Sequence, residues 1–390
     1  MIKKKNVKLE KHVQNHSREA SNMRQMKLFL GPQHPGMHGN ASVHLYVDGD
    51  IIKKSFLLPG MLHRGFEKGM ERHTWVNNIS LIPRVCVVEP DINEMAFAMG
   101  TEKLLGIEVP ERAHWIRMII LELARLSIHL MAYGGLGGPT GNYTLMYHAH
   151  ADRNSILDIF EQITGHRVYH QYIVPGGVRK DLPKGIEKDI HAFLDSLEAR
   201  YEEYRDLGIE NPSIVARITD TIMLPASVVW ELGVTGIGMR SSVNKPYDIR
   251  KVMPYARYDQ VEFEVPVSDY SDARSRIDCK LKELVQSIGI IRQCLAKMPE
   301  GPVRVPLQRG QSMRWTVPKG YVYSPVESSR GEFGYYMVSN GGTNPWRVGV
   351  RGASYPQGLL GVEKYLPGTR LDDAALWIDT MGVCSPEIDR

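Results

Sequence analysis

The sequence predicts an α+β fold, with a central bundle of long helices between a β-rich start and a mixed α/β end. Three observations carry this. Apolar residues recur at helical spacing over several long segments in the middle of the chain. Strand-like runs interrupted by turn residues lie towards both ends. The 390 residues are 43% hydrophobic, enough for a sizeable core.

In chain order, residues 1–27 form a basic, polar extension carrying Lys3, Lys4, Lys5, Lys8, Lys11, Arg18, Arg24 and Lys27. It is read either as a solvated tail or as a segment lying on a partner or an anionic membrane surface. It has no apolar core of the kind a secretory signal needs. No recognition motif for nucleic acid accompanies it. The chain also lacks an uninterrupted apolar run of about 18 residues, so no segment is expected to cross a bilayer. Four widely spaced cysteines suggest no disulfide framework and a reducing setting.

The next segment, 28–75, is β-rich. "ASVHLYVDGDIIKKSFL" reads as two strands around Asp48-Gly49. The helical core is placed at 76–300. Its helices are expected at 86–105, at 109–133 with Pro110 at the first helical position, at 151–165 ended by Gly165, at 187–208 and at 272–298. The charged cluster "PGMLHRGFEKGMERHTW" at 59–75 reads as a solvated or ion-paired face. In 109–133, Glu122 and Arg125 interrupt an otherwise apolar helix. Buried charges are costly unless paired, so partners elsewhere in the fold are expected. Cys279 and Cys294, inside 272–298, read as small core or surface residues. The final segment, 301–390, contains the strand-like "GEFGYYMVSNGG" and "NPWRVGVRG".

Two constellations could carry chemistry. Cys86-x-x-Glu89 and Cys384-x-x-Glu387 repeat one device near opposite ends of the chain. Thiolates three residues apart from a second ligand can hold a metal, and two such pairs complete a shell. A mixed thiolate–carboxylate site and two unrelated buried cysteines are both open readings. In "GPQHPGMHG" at 31–39, a rigid Gly/Pro loop presents His34 and His38, which either bind metal, move protons or contact a polar ligand, or are ordinary surface histidines. No Walker loop, strand-to-helix G-x-G-x-x-G or nucleophile elbow is present.

Together and in order, "GPQHPGMHG", "LHRGFEK", "EKLLGIEVPERAHWIR", "ITGHRVYHQYIVPGGVRKDLP", "YDQVEFEVPV", "CLAKMPEGP", "GEFGYYMVSNGG" and the terminal "EIDR" resemble one family from about residue 28 to 390. It is the catalytic D subunit of respiratory complex I, with its relatives among membrane-bound oxidoreductases. The wider superfamily includes the large subunit of nickel–iron hydrogenases. The resemblance implies the hydrogenase large-subunit fold and an electron-transfer subunit active only in the assembled complex. It implies no metal and no cofactor bound by this chain alone. An iron–sulfur cluster would sit on a small partner subunit (the B-like subunit), with a C-like and a membrane-arm (H-like) subunit as further partners. The complex would lie on the cytoplasmic face of the membrane, with this chain peripheral.

The residue roles that the resemblance implies are these. Cys86 and Cys384 match the first cysteine of each hydrogenase metal pair, and Glu89 and Glu387 stand at the second positions, so both ends should meet around a former metal cavity. His38, with His34 beside it, matches the family's acceptor-site histidine and would donate a proton. Val87 and Pro139 stand where the family carries a quinone-binding tyrosine and an aspartate, so the acceptor is a quinone, a related carrier or a sulfur species. Arg64, Arg84 and His170 would face the partner's cluster. "C-x-x-E-P-D" with "RVYHQYIVPGGVR" is also similar to the large subunit of Mbx-type sulfane-sulfur reductases. A hydrogenase-like metal enzyme is the remaining alternative.

Overall fold

A computed structural model describes residues 25–34, 41–306 and 315–390. The chain begins with an antiparallel sheet of β1 (Met26–Leu30), β2 (Ser42–Asp48) and β3 (Ile51–Leu58). Asp48 pairs with Ile51, so the expected hairpin turns on Gly49-Asp50, with Gly49 at φ 64°. Two short helices follow, α1 (Phe66–Arg72) and α2 (Trp75–Leu81). The charges of this stretch pair on the surface: Lys68 with Glu71, and Arg347 with Glu67 and Glu71.

The helix expected at 86–105 begins later, as α3 (Pro90–Leu105). Proline disfavours the helical conformation in the residue before it, and Glu89 stands at φ −134°. Residues 85–89 are therefore an irregular connection between Arg84 and α3, with Cys86 and Glu89 buried and Val87 exposed. α4 (Glu111–Gly135) is the central helix, with Pro110 capping it rather than occupying its first turn. It is long and apolar enough to cross a membrane, yet it is buried by its neighbours almost throughout. α5 (Tyr143–Thr164) starts eight residues before the expected 151, where the Asn142 side chain accepts from Leu145 N; Gly165 ends it as expected.

Beyond the two-residue strands β4 (Ile173–Val174) and β5 (Gly177–Val178), the single helix expected at 187–208 is two. They are α6 (Ile186–Ala199) and α7 (Tyr201–Leu207), broken at Arg200. The helical spacing of Ile190, Phe193, Leu194, Leu197, Tyr201 and Tyr204 predicts one buried stripe, and in the two helices all are buried except Tyr201, which is half-buried. Their junction is held from outside, because Arg200 pairs with Asp152 of α5 and Tyr204 Oη donates to the same carboxylate at 2.6 Å. Short helices follow, among them α8 (Pro212–Ile218), α9 (Ala226–Leu232) and α10 (Gly236–Val243). α11 (Ala273–Lys297), capped by Asp272, packs along α4 and buries both Cys279 and Cys294.

The partners expected for Glu122 and Arg125 come from four elements. Glu122 accepts from Tyr258 Oη at 2.6 Å and Ser287 Oγ at 2.7 Å, and Arg250 Nη1 lies 3.1 Å away. Arg125 donates to the Glu327 carbonyl at 2.7 Å. Arg240, Asp248 and Glu283 complete a fully buried network of guanidinium and carboxylate groups.

The C-terminal sheet is antiparallel, in order β6 (Gly320–Ser328), β7 (Gly331–Ser339) and β8 (Arg347–Arg351), with β6 added to the two strands expected. α12 (Leu376–Met381) and α13 (Ser385–Asp389) close the chain.

Candidate functional site

The chain's last residues are held inside by the loop before α1. Gly60 N and Leu62 N donate to the two carboxylate oxygens of Asp389 at 2.7 and 2.8 Å, and His63 Nδ1 lies 2.6 Å from the Asp389 carbonyl. This anchor sets α13, and Cys384 precedes it with its N–H donating to Ser354 Oγ at 3.1 Å. From the other end, the irregular segment 85–89 brings Cys86 to meet it.

The two sulfurs lie 3.4 Å apart, with the Cys86 thiol donating to Cys384. Arg330 lies between the two Cys-x-x-Glu devices. Its Nη2 is 2.7 Å from Glu89 Oε2, 3.0 Å from Glu387 Oε2 and 3.0 Å from Cys86 Sγ. Backbone donors hold the far carboxylate oxygens: Ser329 N to Glu89 Oε1 at 2.7 Å, and Ser354 N to Glu387 Oε1 at 2.8 Å. Cys86, Glu89, Arg330, Cys384 and Glu387 are all buried. The hydrogen bond from Cys86 outweighs burial at Cys384, and with the Arg330 charge holds this thiol down at about 7. Burial pushes the Cys86 thiol up instead. Arg330 itself stays firmly charged: burial opposes its charge, and the thiols and carboxylates around it outweigh burial.

Arg330 reaches this place because it sits in the two-residue turn joining β6 to β7, where Ser328 pairs with Gly331. Turns of this kind ordinarily face water, but Ser329 and Arg330 are 1% and 3% exposed. The turn is pressed against the start of α10. A Cβ on Gly331 would lie 2.6 Å from Thr235 Oγ1, so only glycine admits the approach.

Cys384 and Arg330 form the floor of a cavity of about 290 Å³. Its walls are apolar at Val87, Ile128, Ala132 and Ile378, and polar at His129 and Lys280. Val87 is 40% exposed, at the mouth. Burial lowers Lys280 to about 7, and its ammonium donates to the Asp379 carbonyl. Burial also lowers His129, whose Nε2 lies 2.9 Å from Glu283 Oε2. Arg330 Nε and Nη1, Ser329 Oγ and His129 Nδ1 are buried with no hydrogen-bond partner among the described residues. Unsatisfied buried groups are rare, and all three residues that carry these atoms are among those lining the cavity.

A nickel–iron centre does not fit this cluster. Sγ of Cys86 and Cys384 and an oxygen of Glu387 lie within 4.8 Å of one another, the spacing of a metal site. But only two thiols are present, and the Arg330 guanidinium already supplies the cationic charge that the carboxylates and sulfurs require.

The remaining expected residues fall in two other places. His34 and Pro139 line a separate cavity of about 610 Å³ with Phe29, Leu45 and Tyr143. Val87 is not among its walls, so the structure does not gather the expected acceptor residues into one pocket. His38 lies outside the described residues. Arg84 is held by the Ser80 carbonyl, with its guanidinium 5.2 Å from the Tyr169 ring. His170, next in sequence to Tyr169, stacks on Phe160 at 4.0 Å and has Nδ1 2.8 Å from Asp91 Oδ1. Burial lowers the His170 pKa, and the Asp91 carboxylate more than reverses it, so the net shift is upward. The Arg64 guanidinium lies 4.4 Å from the Phe66 ring. Sequence reasoning missed Arg330, Lys280 and His129. The one available signal for Arg330 was a charged residue inside "ESSRGEFGYY", between two strand-like runs.

The sequence pattern of a family described as "Respiratory-chain NADH dehydrogenase, 49 Kd subunit" matches residues 139–390. The D subunit of NADH-quinone oxidoreductase from Thermosipho melanesiensis is 56% identical over 368 residues, which are 94% of this chain and 100% of that protein. Its counterpart from Thermus thermophilus is 36% identical over 387 residues, covering 94% of each chain. Among solved structures, a chain of the membrane-bound sulfane sulfur reductase, an archaeal respiratory membrane complex, superposes with a TM-score of 0.90 at 38% identity. The match covers 94% of this chain and 98% of that one.

Proposed function

Since the chain belongs to the family of the 49 kDa subunit of respiratory-chain NADH dehydrogenase, we propose that the cavity floored by Cys384 and Arg330 is where a complex-I-like membrane oxidoreductase reduces its electron acceptor. The observation that carries this is the course of residues 84–91. They run from Arg84, through buried Cys86 and Val87 at the cavity mouth, to Glu89 on Arg330 and Asp91 on His170. One short segment thus joins half-buried Arg84 and the buried Asp91–His170 pair to the cavity.

In this reading a small partner protein docks its terminal iron–sulfur cluster against Arg84, His170 and Arg64. A guanidinium and an imidazole held by Asp91 favour reduction of an anionic cluster. The other partners are a C-like subunit and a membrane-arm subunit, on the cytoplasmic face of the membrane, with ion translocation coupled to acceptor reduction. In the acceptor cavity, the charged Arg330 guanidinium lies against the place where negative charge develops on a reduced acceptor. His38 and His34, on the 31–39 loop, are proposed as a proton donor and its brace.

Two acceptor classes are compatible. A quinone fits the relatives named NADH-quinone oxidoreductase. A sulfur species is favoured by one specific observation, the thiol of Cys384 on the cavity floor. The test is Val87→Trp, which fills the mouth. In the purified membrane complex, acceptor turnover should be lost while the partner's cluster is still reduced, as read by its paramagnetic signal. Unchanged turnover would place acceptor reduction elsewhere.

A further inference from the structure

We propose that Lys280 is a proton donor of this cavity, its ammonium protonating a carbonyl oxygen of a quinone as the quinone is reduced there. This rests on the reading of that cavity as the acceptor site. It takes the quinone from the two acceptor classes, because a quinone needs a proton on each oxygen as it gains two electrons.

Lys280 stands on α11, is 2% exposed, and lines the cavity together with Arg330 and His129. A Cβ on Gly382, another lining residue, would lie 3.5 Å from Lys280 Nζ, so the amine is beside the cavity wall. A lysine ammonium carries three donors. Among the described residues Nζ makes one hydrogen bond, to the neutral carbonyl of Asp379. The charged and titratable groups around it come from four elements. Arg276 and Glu283 lie on its own helix, Arg330 in the β6–β7 turn, Asp379 on α12 and His129 on α4. Burial lowers the amine to about 7, with the two guanidiniums adding to it and the two carboxylates opposing it. At neutral pH such an amine both carries a proton and can give it up, whereas an ordinary lysine only carries it. Neither neighbour offers the same. Arg330 is held charged by Glu89 and Glu387, and a guanidinium does not lose its proton. Burial lowers His129, which favours its neutral form, and its Nε2 is taken up by Glu283.

The step balances. Two electrons, delivered one at a time from the partner's iron–sulfur cluster, reduce the quinone. As negative charge develops on one carbonyl oxygen, an N–H bond of Lys280 breaks and an O–H bond forms. The electron pair stays on nitrogen, so Lys280 becomes a neutral amine, the state that its buried site favours more than water does. The other oxygen takes its proton from His38, the donor proposed above. The quinol leaves with two electrons and two protons, and Lys280 regains its proton from water entering at the mouth.

The experiment measures reduction of a short-chain benzoquinone by the purified membrane complex. Lys280→Arg keeps the positive charge but holds its proton too tightly to give it up. Its kcat should fall about 10²–10⁴-fold, with the quinone KM little changed and the partner's cluster still reduced. Lys280→Ala should fall as far, and added ethylamine should restore part of its turnover, which a residue that only shapes the wall would not allow. Near-normal kcat in Lys280→Arg would overturn the proposal, as would the absence of quinone reduction by the unsubstituted complex. A second arm needs no variant. Cyanate carbamoylates neutral amines, so at pH 7 it should label Lys280 ahead of the surface lysines, read by peptide mass spectrometry, and the benzoquinone should protect it. Lys280 left unlabelled while surface lysines react would equally overturn the proposal. Lost turnover in Val87→Trp beside normal turnover in Lys280→Arg would overturn this proposal alone and leave the acceptor-cavity reading standing. Unchanged turnover in Val87→Trp would overturn both.

Discussion

Replacing Arg330 by methionine removes the one cation that both Cys-x-x-Glu devices share. The side chain is 3% exposed, and it neutralises Glu89 and Glu387, which are 1% and 0% exposed. Each carboxylate keeps one backbone donor, Ser329 N or Ser354 N, so neither is left without a partner. Breaking a buried ion pair by deleting one member costs about 3–5 kcal/mol, because a charge remains uncompensated. Unfolding entropy near 2.1 cal/mol/K per residue gives a chain of 390 residues about 0.8 kcal/mol/K, so the subunit's melting temperature should fall by about 4–6 °C. Thermal proteolysis of this subunit within the purified complex reads the shift. Adding Glu89→Gln and Glu387→Gln to Arg330→Met should recover most of it, since the charges then leave together. Arg330→Met alone should also acquire zinc, about one ion per chain after dialysis, because Cys86, Cys384 and Glu387 keep the spacing of a metal site without the competing guanidinium. A single variant that melts within about 1 °C of the unsubstituted protein, with no zinc, would refute the view that Arg330 stands in for a metal's charge.

Lys280 gives a pH signature. Its folded-state pKa, lowered by burial to about 7 against the opposing charge of Asp379, means that the folded chain releases this proton first. Between about 7 and the ordinary lysine value the unfolded state binds more protons, so stability rises with pH in this window. Denaturant midpoints across pH 7–10 should show a rise that Lys280→Met lacks. Glu122→Gln should destabilise by about 3 kcal/mol, the low end for a broken buried pair, because Arg250 keeps Asp248 and Glu283. Its urea midpoint and its yield in the assembled complex check this; near-normal values would mean the network tolerates a neutral centre. His38→Gln keeps a hydrogen-bond donor but loses the titrating proton. If His38 protonates the acceptor, turnover should drop about 10²–10⁴-fold with the partner cluster still reducible, whereas near-normal turnover would leave it a positioning role.

What the sequence by itself determined were the features whose signals are local. The 109–133 and 272–298 periodicities became α4 and α11, because a stripe repeating every 3.6 residues can be buried only as a helix. Asp48-Gly49 marked the β2–β3 hairpin through the backbone freedom that glycine offers. The two Cys-x-x-Glu devices marked the site, and Glu122 with Arg125 announced buried partners without naming them. What only the tertiary structure decided depends on groups distant in sequence. The break at Arg200 is held by Asp152 on another helix, and no local breaker marks it. The division of His34 and Pro139 from Val87 into separate cavities depends on how α4 and the N-terminal sheet are packed. Arg330 is the clearest case. A charged residue in a hairpin turn reads as solvated, since its burial alone would be prohibitively costly. Only when residues 244 positions behind it and 57 ahead bring two sulfurs and two carboxylates to one point does the same burial become favourable.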